Sequence, residues 1–352
     1  MSGVASRVVR WQQTHGRNDL PWQANRDPYR VWLSEIMLQQ TQVATVAAYF
    51  QRFVARLPTL ADLADASEDE VLALWSGLGY YSRARNLRRS AMSIMEQHGG
   101  KFPQRAATLV ALPGIGRSTA AAITSLCFGE RVAILDANVR RVLTRLLAFD
   151  QDVSVAANAK ALWDLATGLL PRRDLARSMP RYTQGMMDLG ATLCLPRNPQ
   201  CERCPLAELC VAHEAGTVES FPVKSRKLRR SALSVWLLCA QDRDGATWLE
   251  RRPSSGVWGG LYCLPWFDSR ELLVGSLPPR HRARLHDMEP IKHVLTHKDL
   301  YLHPVLWRMP ASSTHVPPAS RFPLEQWTGL GLPAPVRVLL RQLCNHPNEV
   351  AG

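Results

Sequence analysis

Four cysteines, Cys194, Cys201, Cys204 and Cys210, fall within 17 residues at the spacing C-x6-C-x2-C-x5-C. Nothing else in the 352-residue chain restricts its fold as tightly, because four thiolates reach a common centre only if the loops between them wrap it. Pro196, Pro199 and Pro205 suit such wrapping by fixing backbone angles. In a reducing compartment a tight group of four suggests metal before disulfides, and Cys127, Cys239, Cys263 and Cys344 are scattered as core thiols would be. Zinc is one reading, but structural zinc sites more often use two paired knuckles. A single C-x2-C with a lone cysteine on either side fits one 4Fe–4S cluster better. Arg197 and Arg203 lie in the intervening loops, where a metal centre would hold cations against a phosphate.

The cysteines close a region that reads as helix after helix. Residues 31–50, 60–78, 82–98, 106–112, 117–128, 137–149, 156–170 and 181–193 carry apolar residues mostly at three- and four-residue spacing, with Pro or Gly at the breaks. A basic run, K-S-R-K-L-R-R at 224–230, then precedes a change of pattern. Residues 232–240 and 247–251 read as strands flanking the turn Asp242-Arg-Asp-Gly245; 293–305 reads as a further strand and 336–343 as a closing helix. Three segments are therefore expected: a mainly α domain over 1–215, a basic linker over 216–231 and a mixed α+β domain over 232–345.

The stretch from Leu112 to Asn138 ties a turn to a carboxylate. Leu-Pro-Gly-Ile-Gly opens it, an alanine-rich helix follows, and a short apolar link delivers Asp136 just before a second helical pattern. Gly114 and Gly116 permit a tight turn that leaves unpaired N–H groups at the next helix's start, an arrangement that attracts phosphate. Lys and Arg together number 43 against 30 Asp and Glu, a net charge of +13 that favours a polyanionic partner. No run approaches the roughly 20 apolar residues of a membrane span. Residues 1–13 carry Arg7, Arg10 and Trp11 in place of a secretory apolar core. A soluble, cytoplasmic monomer with no membrane partner is expected.

Several motifs then coincide. L-P-G-I-G-R-S-T-A, I-L-D-A-N-V-R-R-V and the cysteine signature together resemble the helix-hairpin-helix DNA glycosylases related to endonuclease III. L-P-W at 20–22, W-L-S-E-I-M-L-Q-Q-T-Q-V at 32–43 and G-L-G-Y-Y-S-R-A-R-N-L at 77–87 bring the likeness closest to the MutY-type adenine DNA glycosylases. The match covers nearly the whole chain. It implies a mainly α helix-hairpin-helix glycosylase fold with an iron–sulfur loop, followed by an α+β Nudix-like domain. The implied partner is double-stranded DNA bearing adenine opposite 8-oxoguanine or guanine.

Glu35 sits in an otherwise apolar pattern with Gln39 and Gln42 on its face, and spacing alone reads these as a solvated polar stripe. The resemblance reverses that reading, since the family's matching glutamate protonates N7 of adenine and then helps activate water. Such an acid needs a raised pKa, as an apolar pocket provides. Asp136 reads as the N-cap of the helix after it, and a carboxylate there is expected to stay ionised and to stabilise a cationic sugar. Asn138 would orient water or phosphate beside it. Relatives that also cut the strand carry a lysine where this chain has Ser118, whose hydroxyl cannot form an imine, so base removal without efficient strand cleavage is expected.

The resemblance also makes Gln40 and Tyr80 wedge residues that fill the gap left by an extruded base. Trp22, Leu38 and Asp188 are expected to form the adenine pocket. In the C-terminal domain the family checks for 8-oxoguanine through a Phe-Ser-His loop, and this chain has Leu295, Thr296 and His297, losing the aromatic. The 268–277 stretch offers only Asp268 and Glu271, too few carboxylates for a Nudix hydrolase's magnesium helix, so recognition is the expected role. The alternatives are a glycosylase for oxidised pyrimidines, a non-catalytic cluster-bearing DNA-binding protein and a nucleotide hydrolase. Ser118, the Glu35–Asp136 combination and the sparse acidic helix disfavour them in turn.

Overall fold

The computed structural model describes residues 3–223, 230–310 and 319–345; positions 224–229 of the expected linker lie outside the described residues. The chain divides into two compact units, Met1–Asp65 with Asn86–Lys227, and Ala66–Arg85 with Leu228–Gly352. Sequence order places 66–85 among the helices, yet it groups with the C-terminal strands. Tertiary contacts decide this: Ser76 Oγ donates to the Leu332 carbonyl at 2.7 Å, and Tyr81 Oη donates to the same oxygen at 3.2 Å.

In chain order the helices up to the cysteine loop are α1 (Gly3–His15), α2 (Pro28–Leu38), α3 (Val43–Arg56), α4 (Leu60–Asp65), α5 (Glu68–Trp75), α6 (Ser82–His98), α7 (Ala106–Leu109), α8 (Arg117–Phe128), α9 (Ala137–Leu146), α10 (Ala156–Gly168) and α11 (Leu175–Thr192). A single turn, α12 (Val211–Glu214), follows the last cysteine. The helix expected over 31–50 is two helices. Asp27 caps α2 by accepting from the N–H groups of Tyr29 and Arg30, but Gln39 leaves helical geometry and Gln40 adopts a φ of +58°, so the chain must restart. The helix expected over 60–78 also restarts, where Ser67 accepts from the Glu70 N–H. The core of the first unit is apolar side chains of α1, α8, α9, α10 and α11, among them Val8, Ala121, Val142, Leu162, Met186 and Leu189.

Among the described residues the second unit is built on an eight-stranded sheet. Its strands are β1 (Ser231–Gln241), β2 (Thr247–Arg251), β3 (Tyr262–Cys263), β4 (Trp266–Phe267), β5 (Leu285–Asp287), β6 (Ile291–Val294), β7 (Lys298–Arg308) and β8 (Ser320–Phe322). The main path runs β3-β2-β1-β7-β5, with β1 and β7 parallel over their whole length and the other pairings antiparallel. The single strand expected over 293–305 is in fact β6, a turn at 295–297 and β7, because the Leu295 N–H closes onto the Lys298 carbonyl at 2.8 Å. Helices α13 (Arg270–Gly275), α14 (Pro279–Arg282), α15 (Leu324–Trp327) and α16 (Ala334–Asn345) complete the unit. Leu273 and Leu277 pack on the sheet residues Leu238, Ala240, Val305 and Trp307.

Candidate active site

The hairpin turn between α7 and α8 uses its two glycines differently. Gly114 has a φ of +74°, and a Cβ there would lie 2.6 Å from Asn86 Cβ, so both conformation and space demand glycine. Gly116 is extended, with open space around it, and caps α8 without a side-chain hydrogen bond. The first N–H groups of α8 thus begin beside a bare backbone, which suits the close approach of a phosphate. Ser118, the second residue of α8, accepts the Leu135 N–H at 3.1 Å and so anchors the link that leads to Asp136.

Asp136 is the N-cap of α9, its Oδ1 accepting the Val139 N–H at 2.7 Å. The helix N-terminus favours the charged form of this carboxylate, and burial opposes it. Desolvation pushes its pKa above the usual range, outweighing the cap hydrogen bond and the cations of Arg141 and Arg140. Asn138, two residues on, is fixed by Arg141, whose Nη2 donates to Asn138 Oδ1 at 2.9 Å and to the Gly190 carbonyl at 2.6 Å. A Cβ at Gly190 would meet Asn138 Cβ at 2.6 Å, so α11 reaches the start of α9 only because that side chain is missing.

Glu35 projects from the buried face of α2 between two cavities. One, of about 650 Å³, brings together Trp22, Glu35, Leu38, Gln40, Ser118, Asp136 and Asn138, seven residues expected from sequence to serve the site. The other, of about 390 Å³, shares Trp22, Glu35 and Gln184 with it and is otherwise lined mostly by polar residues, including Gln12, Asn18, Gln23 and Arg181. Gln23 Oε1 is buried in that wall without a hydrogen-bond partner, an acceptor that a ligand's donor would satisfy. Burial first, and the negative charge of Asp136 second, push the Glu35 pKa up to about 7. Trp22 closes the cavities with its ring edge-on to Phe50 at 5.5 Å.

Asp188 is not at the cavity surface. It is 1% exposed, and its carboxylate accepts from Arg17 Nε at 2.8 Å, the Arg17 N–H at 3.0 Å and Gln184 Nε2 at 2.9 Å. The side chains that do reach the cavity are Arg17 and Gln184, which the sequence reading missed. Gln184 could have been suspected from its position four residues before Asp188 on one helix; nothing local signals Arg17.

In the second unit Gly77 and Gly79, both with positive φ, shape a loop that presents Tyr80, 41% exposed and with a φ of +48°. Left-handed backbone at a non-glycine residue is costly and clusters at functional positions, and Gln40 in the first unit shares it. The Tyr80 hydroxyl is hydrogen-bonded to Thr296 Oγ1, so the expected wedge and recognition loop meet. Both line a cavity of about 600 Å³ with Leu295, His297, Trp258 and Lys298.

The four loop cysteines line one small, apolar cavity with Arg145. Arg145 is 2% exposed, and its Nη1 donates to Cys194 Sγ at 3.3 Å and to the Leu195 carbonyl at 2.7 Å. A buried guanidinium facing carbonyls and a sulfur requires negative charge nearby, which thiolate-bound iron and sulfide supply. Among the described residues no three His, Cys, Asp or Glu side chains converge closely enough for a single metal ion. Arg141 Nε donates to the Cys194 carbonyl at 2.7 Å, so one side chain touches both the cluster loop and Asn138.

Residues 33–166 match the HhH-GPD superfamily of base excision DNA repair proteins, 194–210 the iron–sulfur binding domain of endonuclease III, and 235–342 the NUDIX domain. One 4Fe–4S cluster is the cofactor of that loop. Adenine DNA glycosylase of Buchnera aphidicola subsp. Acyrthosiphon pisum (strain APS) is 35% identical over 338 residues, 95% of either chain. That of Rattus norvegicus is 47% identical over 335 residues, covering 80% of this chain and 63% of the rat protein. The structure of a thermostable thymine-DNA glycosylase superposes with a TM-score of 0.53 and 31% identity over 60% of this chain and 95% of that one. With a helix-hairpin-helix unit, an iron–sulfur loop and a NUDIX-like unit, and with a relative matched over 95% of its length, this chain belongs to the adenine DNA glycosylase family of base excision repair enzymes, which act on N-glycosyl bonds.

Proposed function

We propose that the enzyme binds duplex DNA and removes adenine mispaired with 8-oxoguanine or guanine, leaving the strand uncut. The observation that carries this reading is the pairing of Glu35, its pKa pushed up to about 7, with Asp136 in one cavity. An extruded adenine beside Glu35 would take the proton on N7, which makes the base a neutral leaving group. As the C1′–N9 bond breaks, its electron pair stays with the base and the sugar becomes an oxocarbenium-like cation. Asp136 stabilises that cation, and water attacks C1′ and loses its proton to the Glu35 carboxylate.

Three further features support the reading. The bare start of α8 suits the DNA backbone, Ser118 lacks the amine that strand cleavage by imine formation needs, and Tyr80 beside Thr296 suits insertion next to the partner base. Incubation with a duplex bearing adenine opposite 8-oxoguanine should release free adenine, with the strand breaking only after alkali. Strand breaks formed at the rate of base release, without alkali, would contradict the uncut-strand assignment.

A further inference from the structure

The turn that carries Leu295, Thr296 and His297 is held from outside by the residues at the start of β1. Ser231 lies opposite Lys298 in the parallel β1–β7 register, so the chain entering β1 runs beside the turn that enters β7. The Ser231 N–H donates to the His297 carbonyl at 3.1 Å. Arg230 takes the two carbonyls before it: its Nη2 donates to the Leu295 carbonyl at 2.8 Å and its Nη1 to the Thr296 carbonyl at 3.1 Å. The same guanidinium is paired with the Asp299 carboxylate, which Lys292 Nζ also approaches at 3.4 Å. The side chains of the turn line the cavity that receives Tyr80, and Arg230 and Asp299 stand outside that lining.

We infer that Arg230 is a positioning residue that fixes the backbone of the 295–297 turn and thereby sets the preference for 8-oxoguanine over guanine as the partner base. This rests on the reading of the turn as the recognition loop and adds what holds that loop in place. The two bases differ by an oxygen on C8 and a hydrogen on N7, so telling them apart demands donors and acceptors placed to within about 0.5 Å. With leucine at 295 the turn has no ring to stack on the base, which leaves more of the discrimination to where Thr296 and His297 stand. A guanidinium is suited to the task because it is a planar fork that spans two carbonyls and a carboxylate at once, whereas an ammonium is a point charge. The Arg230 side chain is 41% exposed, so its charge contributes little by itself and its geometry is what acts.

The test is single-turnover excision of adenine opposite 8-oxoguanine and opposite guanine by the full-length enzyme below saturation, with a thermal melt and a salt titration of duplex binding alongside. Arg230→Met should lower the 8-oxoguanine-to-guanine ratio of rates about fivefold or more, the size expected when charge-assisted hydrogen bonds to the turn are lost. Arg230→Lys should keep the charge and the melting temperature, yet lower the ratio nearly as far. Asp299→Leu, which deprives the guanidinium of its carboxylate, should move the ratio in the same direction by a smaller factor. An Arg230→Lys enzyme with the wild-type ratio overturns the inference. So does an Arg230→Met enzyme that loses both excisions equally while its binding becomes less salt-dependent, since that behaviour belongs to a phosphate contact. A wild-type preference that survives in all three variants overturns the inference alone, whereas wild-type enzyme that excises adenine equally opposite both bases overturns the underlying reading of the turn.

Discussion

Replacing Glu35 by Gln keeps the shape of the side chain and removes its proton chemistry. With a pKa of about 7, half of the Glu35 carboxyls hold a proton at neutral pH; at the ordinary value of 4.5, about one in 300 would. The wild-type single-turnover rate should therefore be level in mild acid and fall as pH rises through about 7, by about tenfold per further pH unit. Glu35→Gln should lose about 10² to 10⁴ in rate, the range for a general acid, and should lose that break in the profile while still binding the lesion duplex. Stability changes in the opposite sense. The folded state raises this pKa, so the group's stabilising contribution is complete below about pH 4.5 and disappears as pH rises through about 7. The distance between those values corresponds to at most about 3 kcal/mol, reduced by whatever solvent the cavities admit. Glu35→Gln should accordingly match wild type in denaturant melts near pH 4.5 and exceed it above pH 7. A variant with wild-type excision rates, or a wild-type profile whose break lies near the ordinary carboxyl value, would refute the reasoning.

Other positions make separate expectations. Asp136→Asn preserves an N-cap acceptor for Val139, so α9 should hold, but without the charge single-turnover excision should fall about 10²-fold or more. Gly190→Ala drives a methyl to 2.6 Å from Asn138 Cβ and should cost about 1–3 kcal/mol in a thermal melt, with excision impaired alongside. Borohydride added during turnover should trap no enzyme–DNA adduct, because Ser118 offers only a hydroxyl, already engaged by the Leu135 N–H. Arg145→Met should yield protein deficient in iron and in visible cluster absorbance, since the buried cation facing Cys194 is gone.

Residues whose role depends on their near neighbours in sequence were legible without coordinates. The ranges of α6 and α8 follow from apolar spacing and flanking Gly and Pro, and Asp136 is an N-cap as its position implies. The interruption at 39–42 was hidden because its glutamines continue a plausible helical face, and only the left-handed Gln40 reveals it. Contacts between distant parts of the chain carry no local mark. Arg17 and Asp188 are 171 positions apart, and neither flanking sequence announces that they pair, so Asp188 was read as a base contact when it is a buried anchor. Tertiary packing alone likewise assigns residues 66–85 to the C-terminal unit and brings Asn138 against Gly190.

The most direct test of the account is a single-turnover comparison of duplexes with adenine opposite 8-oxoguanine, guanine and thymine, in which alkali reveals the abasic sites. The account predicts rapid excision opposite 8-oxoguanine, slower excision opposite guanine and none above background opposite thymine. Equal rates opposite all three partners, or no adenine release opposite 8-oxoguanine, would contradict it.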